Sequence, residues 1–201
     1  MTIKLLSSDL NGTLVHQHTM SDMIRLYIGE KQYRKAKEVF DRQTSGKATM
    51  EEAFGTAGPL TRGLTLRQAI EYTEQHMAYV NGFEAFASEL EQRDIPLVIN
   101  STGYSVTAYA IRQQVGKNKI KGIIGNRLEF GFNGDKCEAI DEKMLEELVS
   151  DWFCFRDARR DIKYDLIKAT GKVELGIVDE SDKAGLITEF ATKLGMRGDE
   201  I

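Results

Sequence analysis

Three short apolar runs fix what this chain can fold into. "IKLLSSD" (3–9), "IPLVINS" (95–101) and "VELGIVD" (173–179) each end on a small or polar residue and pass through a turn into a helical pattern. Short continuous apolar runs of this kind suit strands buried on both faces. Alternating with helices, such strands assemble as a parallel sheet covered on both sides. The expected fold is α/β, a doubly wound parallel sheet. Ligands of such sheets bind beyond the carboxyl ends of the strands, and this reading puts Asp9, Ser101 and Asp179 at those ends.

The alternation is interrupted between the first two runs. "MSDMIRLYIGEKQYRKAKEVFDR" repeats apolar residues at helical spacing, and "TLRQAIEYTEQHM" opens with Thr65 as N-cap. "GPLTRG" (58–63) supplies a break between helical pieces. The expected organisation is a core of residues 1–17 and 81–201, with a helical cap over 18–80 lying across the strand ends. In the core, "GFEAFASELEQRD" (82–94), "DEKMLEELVSDWF" (141–153) and "DIKYDLIKAT" (161–170) read as helices, and "IKGIIGNRLEFGFNG" (120–134) as a strand and hairpin. There is no internal repeat and no low-complexity tract.

The 201 residues carry 41% hydrophobic and 29% charged side chains, enough apolar material for a single core with an insertion. The net charge of −4 comes without a long basic run, which argues against nucleic acid as a partner. No apolar stretch approaches a membrane span, and no basic segment leads into a long apolar one at the start. Cys137 and Cys154 lack metal-ligand spacing and read as reduced structural cysteines. A cytoplasmic location is the expectation.

"DLNGTLV" (9–15) resembles the first motif of the haloacid dehalogenase superfamily, and "VINSTGY" (98–104) the second; "IVDESD" (177–182) is a weaker likeness of its acidic last motif. The order of these motifs, the helical insertion, "YVNGFEAFASEL" and "GNRLEF" resemble the phosphoserine phosphatase-like branch, over about residues 3–190. The resemblance implies a Rossmann-like core in which Asp9 attacks phosphorus and forms an aspartyl-phosphate. It implies a magnesium ion, Mg2+, held by the Asp9 side chain, the Asn11 backbone carbonyl and Asp179, with Asp182 as a further acid. Ser101, with Thr13, Thr102 and Gly103, would bind the phosphoryl group of a small phosphorylated molecule. Lys163 matches the lysine that balances charge on the transferring group, with Lys168 as the alternative.

This sequence departs from that pattern in four places. Asn11 stands where phosphatases of the superfamily usually carry a second aspartate, the acid and base of the reaction. An amide can fill neither role, and such help is worth on the order of 10²–10⁴ in rate. A substrate with a good leaving group, such as an acyl phosphate, escapes the need for it; alternatively His16 or His18 supplies the proton. In the last motif, Val178 and Glu180 replace glycines and Lys183 stands at a later acidic position, where a lysine disfavours a nearby cation. The position of the branch's serine-binding acid aligns near His18, and that of its arginine falls in "AFGTAG" (53–58), so phosphoserine itself is a poor candidate. Arg62 and Arg67 are either recognition residues for another molecule or surface charges. After "GLITEFATKLGM" no counterpart of the family's final strand is expected here. The expectation is a magnesium-dependent phosphatase of a small phosphorylated metabolite; its rival is a catalytically weakened phosphate-binding or regulatory protein.

Overall fold

The computed structural model describes residues 3–132 and 138–197, so Cys137 and the expected hairpin tip at 133–134 lie outside the described residues. The first apolar run forms β1 (Leu6–Ser8) and the second β2 (Leu97–Tyr104), paired in parallel with Leu6 opposite Leu97 and Ser8 opposite Ile99. All of β2 except Thr102 is buried, as a strand covered on both faces should be. β3 (Ile120–Phe132) is one long strand, and Ala139 and Ile140 pair back on it antiparallel, Ala139 opposite Gly131 and the Ile140 N–H donating to the Phe130 carbonyl at 2.9 Å, as a hairpin requires. The first half of β3 runs parallel to β2; its second half outruns β2 and pairs antiparallel with β4 (Ile167–Glu174), Leu128 opposite Val173 and Phe130 opposite Ala169. The sheet order is β1-β2-β3-β4.

The sheet is mostly parallel and the class is α/β, but the last strand corrects two expectations. Residues 161–170 hold only a four-residue helix, α8 (Lys163–Leu166), before the chain enters β4. The apolar run 173–179 gives only Val173 and Glu174 to a strand, and that strand is antiparallel. Leu175–Asp179 lies outside any strand, tied to β3 by the Ile177 N–H donating to Asn126 Oδ1 at 2.9 Å. The cause is the free length of β3 beyond β2: its unpaired amides and carbonyls are satisfied by the nearest extended segment, which is β4.

The inserted helices are α1 (Thr19–Tyr27), α2 (Glu30–Thr44), α3 (Met50–Ala57), a 3-10 turn at Gly58–Thr61 and α4 (Leu66–His76). The helical pattern that looks continuous over 20–42 is broken at Gly29, whose φ of 130° suits glycine alone. Thr49 and Thr65 close capping boxes with Glu52 and Gln68. After them come α5 (Phe83–Gln92), α6 (Ser105–Val115), α7 (Glu142–Cys154) and α9 (Asp182–Lys193).

Period-two alternation along β2 explains why both faces are covered. Leu97 and Ile99 point into a cluster with Leu10, Phe83, Ile111 and Ile120, under α5 and α6. Val98 points the other way, to Leu5 and to Ile187 and Ala191 of α9. The largest cluster joins α1–α4 to Tyr104, Phe130, Trp152 and Tyr164, so apolar packing runs across the boundary between 18–80 and the rest of the chain. Among the described residues no helix is long and apolar enough to cross a membrane. Cys154 is an exposed free thiol.

Candidate active site

Asp9 follows β1 directly and is carried by a tight turn. The N–H groups of Thr13, Leu14 and Val15 all donate to the Leu10 carbonyl at 3.0–3.2 Å, and Gly12, with φ of 73°, donates to Val15 at 2.7 Å. Parallel pairing of β1 with β2 sets this turn beside Ser101, Thr102 and Gly103. Ser101 is buried, and its hydroxyl oxygen accepts the Gly103 N–H at 3.2 Å, which leaves its own proton to donate. Asn11 Oδ1 accepts the Thr19 N–H at 3.0 Å. That bond orients the amide, turning Nδ2 toward β2. A Cβ on residue 103 would sit 3.0 Å from Asn11 Nδ2 and 3.4 Å from Ser101 Oγ, so glycine there lets the two donors approach. Thr13 is exposed at the rim of the turn and Thr102 half-buried.

The cation facing Asp9 is Lys183. Its Nζ lies 3.4 Å from Asp9 Oδ1 and 2.7 Å from Glu180 Oε2, on a side chain that is 20% exposed. The first turn of α9 is anchored by Asn100 of β2, whose Nδ2 donates to the Lys183 carbonyl at 3.0 Å. Neither expected lysine is paired there. Lys163 Nζ pairs with Asp161 at 3.5 Å and lies over the Tyr164 ring, and Lys168 sits in β4 opposite Gly131 and Thr65. The reason is the altered course of this segment: Lys163 opens a helix of only four residues, and Lys168 falls in β4. Lys183, a departure from the resembled pattern that stands one turn past Asp179 at a helix start, is thus the partner of Asp9.

Asp179 and Asp182 are occupied within their own loop. Asp179 Oδ1 accepts the Ser181 N–H at 2.8 Å and the Ser181 hydroxyl at 2.6 Å, bonds that hold its carboxyl below the ordinary aspartate range. Asp182 Oδ2 accepts the N–H groups of Val178 and Asp179 at 3.0 and 2.8 Å. Among the described residues no three His, Cys, Asp or Glu side chains converge to hold a metal. Magnesium asks for octahedral oxygen ligands at about 2.1 Å. With Asp9 facing an ammonium and two acids each giving an oxygen to their own turn, this donor set fits it poorly.

A cleft of about 460 Å³ lies between the α2–α3 connection (Gln43, Gly46, Thr49) and Val178–Glu180. Glu180 lines it and touches Lys183, so the cleft leads toward Asp9. His18 keeps an open edge but packs on Phe40, with ring centroids 5.1 Å apart, and its Nδ1 is 3.1 Å from Ser21 Oγ. Desolvation there pushes the imidazole below its ordinary value, against the pull of Asp22 and Asp41. The His16 N–H donates to Ala78 at 2.9 Å. Arg67 is structural: it donates to Asp165 at 2.7 Å and to the Asp161 carbonyl at 3.0 Å, and covers the Trp152 ring. Arg62 lies against Gly171.

Sheet order, helical insertion and the Asp9 turn together make this the fold of haloacid dehalogenase-type hydrolases, in its phosphoserine phosphatase-like form. A phosphoserine phosphatase solved as a phospho-aspartyl intermediate analogue matches over 98% of this chain and 75% of its own, at 18% identity and a TM-score of 0.66. A substrate-bound phosphoserine phosphatase matches over 98% and 74%, at 17% identity and a TM-score of 0.65. A HAD family hydrolase from Salmonella enterica serovar Typhi matches over 100% and 55%, at 11% identity and a TM-score of 0.70. No protein-family model and no curated protein matches the chain.

Proposed function

We propose that this chain is a phosphatase-type hydrolase that cleaves a small phosphorylated compound bearing a good leaving group, an acyl phosphate being the representative case. The observation that carries the reading is the meeting of Asp9, the Asn11 amide, Ser101 and Lys183 at the carboxyl ends of β1 and β2. An Asp9 carboxylate oxygen attacks phosphorus, and the bond from phosphorus to the leaving oxygen breaks. The leaving group takes the electron pair and departs as a carboxylate, which needs no proton. Water then attacks the aspartyl-phosphate and releases phosphate and Asp9, its proton passing to the phosphate or to solvent. Ser101 and Asn11 donate to the phosphoryl oxygens, and Lys183 offsets their charge. Phosphoserine is not the substrate of this reading, because "AFGTAG" offers no cation for its carboxylate. Magnesium stays an expectation of the resemblance: Asp9 and Asp179 would hold it beside the Lys183 ammonium, and no step here passes through it.

A second reading, a phosphate-binding protein without turnover, is favoured by the Asn11 amide, whose oxygen is committed to Thr19 and which has no acid to give. Turnover of acetyl phosphate and of an alkyl phosphomonoester by the parent, Asp9→Ala and Asn11→Asp separates the two. The expected outcome is cleavage of acetyl phosphate by the parent and not by Asp9→Ala. Alkyl-ester cleavage should rise in Asn11→Asp by on the order of 10²–10⁴. Inert parent and Asn11→Asp proteins that still bind phosphate would establish the second reading.

A further inference from the structure

We propose that the Lys183 ammonium is the resident cation of this site, standing in for the divalent metal the resemblance implies, so that a phosphoryl group is bound without metal. The inference rests on the phosphoryl-binding reading above and adds to it how the charge is met. An ammonium has three N–H donors. One faces Asp9 at 3.4 Å and one faces Glu180 at 2.7 Å, which leaves a third for a phosphoryl oxygen arriving from the cleft that Glu180 lines.

Three further observations hold the ammonium in that role. Asn100 fixes the Lys183 backbone to the end of β2. The side chain is largely shielded, so water screens its charge less than that of a surface lysine. The neighbouring acids each give an oxygen to their own turn: Asp179 Oδ1 to Ser181, and Asp182 Oδ2 to the backbone of 178 and 179. A divalent ion entering beside Asp9 would meet a fixed positive charge at the same carboxylate, which disfavours it electrostatically. The remaining contacts to the phosphoryl group are neutral donors, the Asn11 amide and the Ser101 hydroxyl, which need no metal to orient them.

The test is inorganic phosphate binding, followed by calorimetry and by thermal stabilisation, in EDTA and in excess magnesium. Three proteins are compared: the full chain, Lys183→Met and Lys183→Asp. Manganese binding by electron paramagnetic resonance is measured in parallel. The expected result is phosphate affinity of the parent that differs less than twofold between the two media, with manganese left free. Lys183→Met should lose phosphate affinity at least tenfold in both media while keeping its circular dichroism. Lys183→Asp, which restores an acid beside Asp9, should bind manganese and regain phosphate affinity only with the metal. Parent binding that vanishes in EDTA overturns the proposal and leaves the phosphoryl-binding reading standing. No phosphate binding in either medium, together with no turnover, overturns that reading and the proposal with it.

Discussion

At the scale of single residues, the site depends on how closely Asn11 and Ser101 approach across residue 103. Gly103→Ala would place a methyl 3.0 Å from Asn11 Nδ2. Asn11 cannot turn away without breaking its bond to the Thr19 N–H. Phosphate affinity should fall about tenfold, the equivalent of one lost hydrogen bond. Stability should move by no more than about 1–3 kcal/mol, the usual range for one added methylene in a packed site. Calorimetry with phosphate beside urea unfolding checks both, and unchanged affinity would remove Asn11 and Ser101 from the phosphate seat. These residues were legible in sequence because a polar residue ending a buried run, followed by Gly-Thr or Thr-Gly, marks a strand-end turn. Lys183 was not, because it lies 174 residues from Asp9, and the anchoring of α9 by Asn100 brings it in.

At the scale of elements, local capping signals were the most readable. Thr65 is the N-cap expected of it, accepting the Gln68 N–H at 3.1 Å, and the structure adds the reciprocal bond, Gln68 Oε1 accepting the Thr65 N–H at 3.0 Å. The start of α4 is also bound to β4: Gly63 and Leu64 exchange backbone bonds with Ala169 at 3.0 and 2.8 Å. Thr65→Ala should cost about 1 kcal/mol through the lost cap. It should appear as a lower urea midpoint at unchanged slope, with Thr65→Ser near the parent; an unmoved midpoint in the alanine variant would show the cap contributes nothing. The strand it touches was not readable. Ile162 and Leu166 give 161–170 a helical stripe, yet they are 64% and 44% exposed, so that stripe has nothing to pack on. Ile167 and Ala169 are buried instead, opposite Phe132 and Phe130 of β3, and tertiary pairing overrides the local pattern. The partner strand lies more than thirty residues upstream, beyond the reach of a periodicity argument.

At the scale of the whole molecule, the site is assembled by the docking of α9 on the sheet. Its N-terminal turn carries Lys183 to Asp9, while Ile187 and Ala191 pack on Leu5 and Val98, and the Phe190 ring lies over Gly122 of β3. A Cβ on residue 122 would fall 2.4 Å from Phe190 Cζ, inside contact distance, so an alanine there must shift the ring or the helix. A shifted helix carries Lys183 with it and pulls against the Asn100 bond to the same first turn. Gly122→Ala should therefore lower stability by about 1–3 kcal/mol and weaken phosphate binding together, although residue 122 touches no part of the site. Phe190→Leu added to Gly122→Ala makes room for the methyl, so both properties should return toward the parent, a non-additivity expected only of side chains in contact. Urea unfolding and phosphate calorimetry on the parent, both single variants and the pair measure that coupling. If Gly122→Ala loses stability while its phosphate affinity is unchanged, the ring alone gives way, and the placement of Lys183 is set by Asn100 rather than by the docking of α9.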